Sequence, residues 1–220
     1  FNHLLTHDDL HYFRAAISDI AGRQHVLFHH HVGESGFLYK YPLIQYKIIN
    51  GLPSIFCIGN GVTEIEKFFN RQPWKIILYK KEITLQVEQL NSGTHPFAIT
   101  DTFIPYRKSR WQAYKKENYE TFRSETDPAR SLAMLSRILT GNIITMAKGI
   151  NWTVPGRILL RLEDNYRTYP VQLKNTPLMA IDARFRCNVN LPDYIGLGKH
   201  VSEGNGMVQR LRLRKETAAS

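Results

Sequence analysis

A glycine-rich segment near the carboxyl end, LPDYIGLGKHVSEGNGMV over residues 191–208, constrains the fold of this chain more than any other feature. Its four glycines are Gly196, Gly198, Gly204 and Gly206. Glycine reaches backbone conformations that other residues avoid, and it lets a ligand approach the main chain closely. Because Lys199 and His200 stand between these glycines in a basic protein, the segment indicates a phosphate-bearing partner.

The spacing of the glycines does not fit two common nucleotide-binding loops. A Walker loop requires glycine at the position of Asp193 and a Ser or Thr at the position of His200. A dinucleotide fingerprint requires glycine at the position of Val201 and a helix after the loop. The apolar and basic residues that alternate over 207–213 predict a strand instead. A loop between two strands argues against most nucleotide hydrolases and dehydrogenases.

Composition favours a globular, nucleic-acid-binding protein in a reducing compartment. The 220 residues carry a formal net charge of +10 and are 43% hydrophobic. Basic residues cluster near aromatic ones around 106–110, which suits the stacking of bases and the neutralisation of phosphates. Cys57 and Cys187 lie in apolar runs and are expected to be free thiols. With no apolar run that could span a membrane and no signal peptide, the chain is expected to be cytoplasmic.

The first half of the chain predicts one ferredoxin-like unit. Helical periodicity begins after Thr6 and stops at Gly22, and Asn50-Gly51 is a hairpin turn signal between two strands. A capping box at Thr63 begins a second helix. The predicted strands are 37–49, 54–58, 74–79 and 83–87. One more strand before residue 1 would complete the order βαββαβ.

The second half predicts a related unit. Asp127-Pro128 is a helix start, because the aspartate can cap the helix and proline suits its first position. Gly149 is expected to end that helix. The polar stretch 108–126 is expected to be a helix or an ordered connector. The predicted strands are 97–104, 157–162, 168–173, 178–189 and the strand after the glycine-rich loop.

These elements predict an α+β fold. The expected architecture is two tandem ferredoxin-like (RRM-like) βαββαβ domains, with antiparallel sheets and helices on one face. The amino-terminal domain is assigned to residues 1–92. The carboxyl-terminal domain is assigned to residues 93–220 and contains the glycine-rich loop over 196–206.

Three consecutive histidines, His29, His30 and His31, follow the first helix. Histidine titrates near neutral pH and can donate or accept a proton during RNA cleavage. In an extended segment His29 and His31 face the same side and could form an acid and base pair. A polar loop with incidental histidines explains the run equally well.

Three other histidines, His3, His7 and His11, have the i, i+4 spacing of metal ligands on a helix. No cysteine or acidic set completes a metal site, so neither a metal nor a cofactor is expected. These histidines are expected on or beside the solvent face of the first helix.

Basic residues in the second half are candidates for phosphate contacts. Arg184 and Arg186 alternate with Phe185 and Cys187, so both arginines should share the face opposite the core. That face suits a phosphate backbone, although a solvated surface explains it too. Lys148 lies near a predicted helix end, where a cation is also favoured by the helix dipole.

Three segments, 28–47, 139–152 and 191–208, resemble the CRISPR-associated repeat-processing endoribonucleases, in the same order along the chain. The glycine-rich segment is the most specific of the three. The resemblance implies RNA-binding ferredoxin-like domains and metal-independent cleavage of precursor CRISPR RNA within its repeats. In that reaction a ribose 2′-hydroxyl attacks the adjacent phosphate and leaves a 2′,3′-cyclic phosphate and a 5′-hydroxyl end.

The resemblance also implies roles for individual residues. In the family pattern two histidines flank one variable residue, which implies His29 and His31 as catalytic residues. Lys40 is the first choice for their basic partner and Lys47 the second. The residues implied in RNA binding are Gly196, Gly198, Lys199, His200, Ser202, Gly204, Gly206, Arg184, Arg186 and Lys148.

The implied partners are CRISPR repeat RNA and other CRISPR-associated proteins, while both a monomer and a homodimer remain open. Two alternative functions also fit the sequence. The basic charge fits the first of them, and the histidine count motivates the second. One is a non-catalytic RNA-binding subunit of a CRISPR effector complex, which would bind repeat RNA and leave it intact. The other is a metal-dependent nuclease, which would lose its activity in EDTA.

Overall fold

A computed structural model of the chain describes residues 1–22, 25–29, 41–69, 74–114, 119–120, 122, 124–173 and 176–212. The principal helices are α1 (Leu10–Ala21), α2 (Val26–His29), α3 (Asn60–Phe69) and α4 (Pro128–Gly149). The strands are β1 (Ile44–Ile49), β2 (Leu52–Cys57), β3 (Trp74–Leu78), β4 (Lys81–Leu85), β5 (Ile99–Trp111), β6 (Leu160–Leu162), β7 (Arg167–Leu173), β8 (Thr176–Val189) and β9 (Met207–Arg210).

The amino-terminal half packs α1 and α3 against two antiparallel hairpins. Strand β1 pairs with β2, and β3 pairs with β4. Phe13 and Ile17 of α1 are fully buried in a core that also contains Tyr46, Phe68 and Trp74. The ring centroids of Phe68 and Trp74 stack 4.9 Å apart. These aromatic contacts give the first half a hydrophobic core of its own.

Some local signals in this half formed as predicted, but the two helix starts differ. Helix α1 has Asp9 rather than Thr6 at its N-cap, and α3 begins at Asn60, before the predicted capping box at Thr63. The main-chain N–H and the hydroxyl of Thr6 both donate to Asp9 Oδ2, at 2.8 and 2.7 Å, just before α1. Gly22 ends α1 with a φ of 86°. Asn50 and Gly51 both have positive φ, as a two-residue hairpin turn requires. Of the strand predicted over 37–49, residues 37–40 lie outside the described part, and the strand itself begins at Ile44.

The carboxyl-terminal half is built on one antiparallel sheet. Its strand order is β6–β8–β5–β9, and β7 also pairs with β8. Helix α4 covers one face, and its buried stripe lies in the same core as Tyr106 and Phe185. Asp127 caps α4 by accepting a 2.8 Å hydrogen bond from the Ala129 N–H, which confirms the predicted start. No helix in the described part of the chain, α4 included, is long and apolar enough to span a membrane.

The prediction of a helix or connector over 108–126 was wrong in its first part. Strand β5 continues through Trp111, and Lys108 pairs with Ala183 on one side and with Val208 on the other. Because β8 and β9 both flank this segment, their hydrogen-bonding ladders outweigh its polar character. The extension matters for the site, because it carries Lys108 and Trp111 beneath the glycine-rich loop.

Candidate nucleic-acid interface

The glycine-rich loop connects β8 to β9, as the alternation of apolar and basic residues over 207–213 predicted. It also contacts the amino-terminal half of the chain. The Tyr46 N–H donates to the Ser202 carbonyl at 3.2 Å, and Tyr46 forms an isolated parallel bridge with Glu203. Arg14 of α1 forms a 2.6 Å ion pair with Glu203. The loop therefore holds together two halves that each have their own core.

Gly196 lies at the centre of this junction. Its N–H donates to Gln45 Oε1 at 2.9 Å, and its carbonyl accepts a 2.7 Å hydrogen bond from the Tyr41 hydroxyl. A Cβ at this position would lie 2.6 Å from Val201 Cβ and 2.7 Å from Gln45 Oε1. Both main-chain groups of Gly196 are thus used by the protein itself, and its lack of a side chain is required for packing.

Two buried lysines support the loop from below. Lys47 Nζ donates to the Val201 carbonyl at 3.3 Å, and Lys108 Nζ donates to the Leu197 carbonyl at 2.6 Å. Burial lowers the pKa of Lys47 to about 7. Burial also lowers the pKa of Lys108 well below its ordinary value, with a smaller contribution from the charge of Lys47. Lys47, the second choice for a catalytic partner, is therefore a buried anchor of the loop in this structure.

Two further glycines close the loop. Gly204 and Gly206 have φ values of +81° and +66°, in the left-handed region that side chains avoid. The Gly206 N–H donates to the Arg110 carbonyl at 3.2 Å, and its carbonyl accepts a 2.9 Å bond from the Leu197 N–H. Both glycines are buried. The structure gives Gly196, Gly204 and Gly206 a demonstrable role in packing, and RNA contact by these three stays a prediction.

The accessible part of the loop carries Gly198, Lys199, His200 and Ser202. Lys199 is not solely a surface cation, because its Nζ donates to the Tyr114 carbonyl at 2.7 Å. The His200 side chain is 41% exposed, and its Nδ1 lies 3.7 Å from Glu203 Oε2. These four positions are the less buried RNA-binding candidates on the loop.

Arg184 and Arg186 share the exposed face of the carboxyl-terminal sheet, as their alternation predicted. Across the strands, Arg184 lies directly opposite Arg107, and Arg186 lies directly opposite Arg161. The carboxylate of Glu163 lies 4.0 Å from the guanidinium group of Arg186. We call these four arginines the arginine face.

Lys148 lies on α4 rather than on the glycine-rich loop. It is in the last turn of α4 and lines a groove with Arg137, Trp152 and Arg157. None of the glycine-rich loop residues lines this groove. Lys148 therefore lies in a groove to which the loop does not contribute.

The proposed catalytic residues fall at the edge of the described structure. His29 ends α2, while its side chain, His31 and Lys40 lie outside the described residues. Helix α2 is fixed against α1, because the Ser18 hydroxyl donates to the Phe28 carbonyl at 3.1 Å and Phe28 is buried. The backbone that leads to the three histidines therefore starts from the packed amino-terminal core.

The sequence singled out His7 and His11 but did not reveal what surrounds them. His7 and His11 do not simply face solvent; they line a small cavity with Arg110 beside Glu203 and Asn205 of the loop. Burial, followed by the charge of Arg110, lowers the pKa of His7 to about 4. Their i, i+4 spacing was the available signal, but it does not reveal which segment covers that side of the helix.

Comparison with known proteins assigns the chain to a family. The model of the Cas6b N-terminal domain matches residues 2–95, and that of the Cas6b C-terminal domain matches residues 98–211. A protein of Methanocaldococcus jannaschii is 32% identical over 116 residues, which cover 52% of this chain and 78% of that protein.

Solved structures agree with the family models. A crystal structure of Cas6b is 27% identical, covers 96% of this chain and 95% of its own, and superposes with a TM-score of 0.87. A second, of a CRISPR RNA processing endoribonuclease Cas6b, is 25% identical over 96% and 94% of the two chains, with a TM-score of 0.65. The predicted α+β class of tandem ferredoxin-like domains with antiparallel sheets is confirmed. With both domain models matched in order, the chain belongs to the Cas6b family.

Proposed function

We propose that this chain is an endoribonuclease that cleaves precursor CRISPR RNA within its repeats, without a metal ion. The observation that carries the proposal is the match of both Cas6b domains along almost the whole chain. A solved relative that covers 96% of the chain is described as a CRISPR RNA processing endoribonuclease. The net charge of +10 is consistent with a polyanionic substrate.

The proposed chemistry needs only groups of the RNA and of the protein. A general base removes the proton of the ribose 2′-hydroxyl, whose oxygen attacks the adjacent phosphorus. A general acid protonates the departing 5′-oxygen, which leaves a 2′,3′-cyclic phosphate and a 5′-hydroxyl. We assign these proton transfers to His29 and His31, and we assign stabilisation of the negative charge on the phosphate to Lys40.

These assignments predict a specific loss of catalysis. The double change His29→Ala, His31→Ala should slow cleavage of repeat RNA by at least roughly 100-fold, the usual share of acid and base catalysis. RNA affinity should stay near that of the unchanged protein, since neither role is in binding. Single-turnover cleavage and a filter-binding assay measure the two quantities. His3→Ala, a change at an exposed histidine, is the control. An unchanged cleavage rate in the double variant would refute the assignment.

The arginine face is the proposed contact for the RNA backbone. Like charges directly opposite each other in a sheet destabilise it, and here two such arginine pairs are adjacent. Arg161 also lies over the Phe103 ring, 5.6 Å from its centroid, which places a cation beside an aromatic surface. A polyanion would relieve the repulsion and supply bases that can stack on the exposed ring.

Removal of charge from this face should weaken binding in a salt-dependent way. We expect Arg184→Gln, Arg186→Gln to lower RNA affinity and to reduce the slope of log K against log salt by roughly 0.7 for each phosphate that the variant no longer neutralises. The thermal midpoint should stay constant or rise, because repulsion is removed. A matched control, Lys67→Gln, Arg130→Gln, removes two exposed charges elsewhere. Equal losses of RNA affinity in the two double variants would mean that the net charge of the protein, and not the arginine face, determines binding.

A further inference from the structure

A cavity of about 190 Å³ lies between α1, the end of β5, β7 and the glycine-rich loop. It is built from distant parts of the sequence, which meet only in the folded chain. Its wall includes His7, His11, Arg110, Gln172, Glu203 and Asn205. Asp8 stands at the same cavity and is exposed. The described residues do not form a cluster of His, Cys, Asp and Glu that could hold a metal ion.

Two buried polar atoms belong to residues that line this cavity. His7 Nδ1 and Arg110 Nε make no hydrogen bond with any described residue of the protein. The main chain of Arg110 is fixed, because its N–H donates to Asp182 Oδ1 at 2.8 Å and its carbonyl accepts from Gly206. A buried polar group is ordinarily satisfied by a hydrogen bond. Both atoms are therefore buried and unsatisfied within the residues that form the cavity wall.

The charges around the cavity do not favour a bare anion. Arg110 contributes one positive charge and Asp8 one negative charge. The negative charge of Glu203 is balanced by Arg14 at 2.6 Å. His7 is neutral at pH 7, since burial and Arg110 lower its pKa to about 4. A phosphate would meet the carboxylates of Asp8 and Glu203 here. A neutral group with both donors and acceptors would instead pair with a carboxylate on one side and with Arg110 on the other.

We propose that this cavity binds one unstacked guanine base of the RNA. The proposal rests on the proposed function, because it takes RNA as the partner. The fork of an arginine matches the O6 and N7 acceptors of guanine, and a carboxylate such as Asp8 can accept from its N1–H and 2-amino group. Histidine rings and amide side chains are typical surfaces for stacking and edge contacts with single-stranded bases. The volume suits one base and is too small for several nucleotides.

The position of the cavity indicates what a bound guanine would do for the rest of the RNA. Glu203 and Asn205 belong both to its wall and to the glycine-rich loop. Asn205 is buried, and its amide donates to the carbonyls of His200 and Glu203. A base held here would place its neighbouring nucleotide beside the accessible loop positions around His200. The cavity would thus set which nucleotide of the RNA lies at the loop.

Nucleoside binding tests the proposal on the full chain. The probes are guanosine, adenosine, cytidine, uridine and inosine, and the signals are the imidazole NMR resonances of His7 and His11. We expect guanosine to shift both resonances with a dissociation constant on the order of 1 mM, as suits a ligand of this size. Adenosine, cytidine and uridine should bind at least about fivefold more weakly. Inosine, which lacks the 2-amino group, should also be weaker. Equal shifts with all nucleosides, or shifts with inorganic phosphate alone, would overturn the proposal.

Two variants assign the recognition to residues. Arg110→Lys keeps the charge but loses the fork, so guanosine should bind at least about fivefold more weakly. Asp8→Asn, a change at an exposed side chain, should abolish the preference for guanosine over inosine. Arg130→Lys on the exposed start of α4 is the control and should bind like the unchanged protein. Unchanged guanosine binding in Arg110→Lys would rule the proposal out.

The outcome is separable from that of the proposed function. Nucleoside binding requires no cleavage, so a chain that binds guanosine selectively but leaves repeat RNA intact would retain the cavity assignment and lose the enzymatic one. A chain that cleaves repeat RNA without any preference for guanosine would retain the enzymatic proposal and lose this one.

Discussion

We expect Gly206→Ala to destabilise the chain by about 3 kcal/mol or more, because backbone strain and a steric overlap add at this position. An alanine at the φ of +66° incurs roughly 1–2 kcal/mol of backbone strain. Its Cβ would also overlap the Leu197 carbonyl oxygen, which the backbone holds in place. Relief of that overlap would break the hydrogen bond from Leu197 to Gly206 and move the carbonyl that Lys108 contacts. Urea unfolding followed by circular dichroism measures the loss.

A second glycine provides the control for this experiment. Gly141 lies in α4, and nothing is within 4 Å of a Cβ added there. Because alanine favours helix over glycine, Gly141→Ala should raise the free energy of unfolding by up to about 1 kcal/mol. If the free energy of unfolding of Gly206→Ala lies within about 0.5 kcal/mol of that of the unchanged protein, the loop is not the rigid junction described here.

The features that could be predicted from sequence depend on short-range rules. Asp127 caps α4 because its side chain reaches the N–H two residues on, within one turn. Gly51 follows Asn50 in a hairpin because both tolerate positive φ. The two arginines of β8 share a face because side chains alternate along any strand. None of these inferences requires knowledge of what lies across the fold.

The burial of two lysines could not be predicted in this way. Lysine is among the residues least often fully buried, so nothing in the sequence around Lys47 and Lys108 indicated their burial. Their hydrogen-bond acceptors are the carbonyls of Val201 and Leu197, 154 and 89 residues further along the chain. The partners that make burial possible are therefore fixed by tertiary packing alone.

The cavity beside α1 could not be predicted for the same reason. The spacing of His7 and His11 predicted that they share one side of a helix, whereas α1 begins only at Leu10, and the spacing does not identify the loop that covers them. Glu203 packs there through its ion pair with Arg14, a residue 189 positions earlier in the sequence. Recognition of the pocket required the fold, whereas recognition of the glycine-rich loop did not.

Replacement of the attacking hydroxyl has the largest expected effect on activity. In the proposed reaction the ribose 2′-oxygen is the nucleophile, so a 2′-deoxyribose at the nucleotide before the cut removes the reacting atom itself. We expect no detectable cleavage of that RNA, while its affinity should stay close to that of the unmodified strand. A 2′-deoxyribose two nucleotides further upstream is the control and should be cleaved normally.

The most direct test of the proposed reaction is therefore cleavage of the CRISPR repeat RNA of the genome that encodes this chain, in EDTA, with these two modified strands beside the unmodified one. We expect cleavage of the unmodified and control strands at one site, with 2′,3′-cyclic phosphate and 5′-hydroxyl ends, and an intact strand where the nucleophile is missing. Full cleavage of the deoxy strand, loss of all cleavage in EDTA, or tight and salt-sensitive binding with every RNA recovered intact would contradict the proposed reaction.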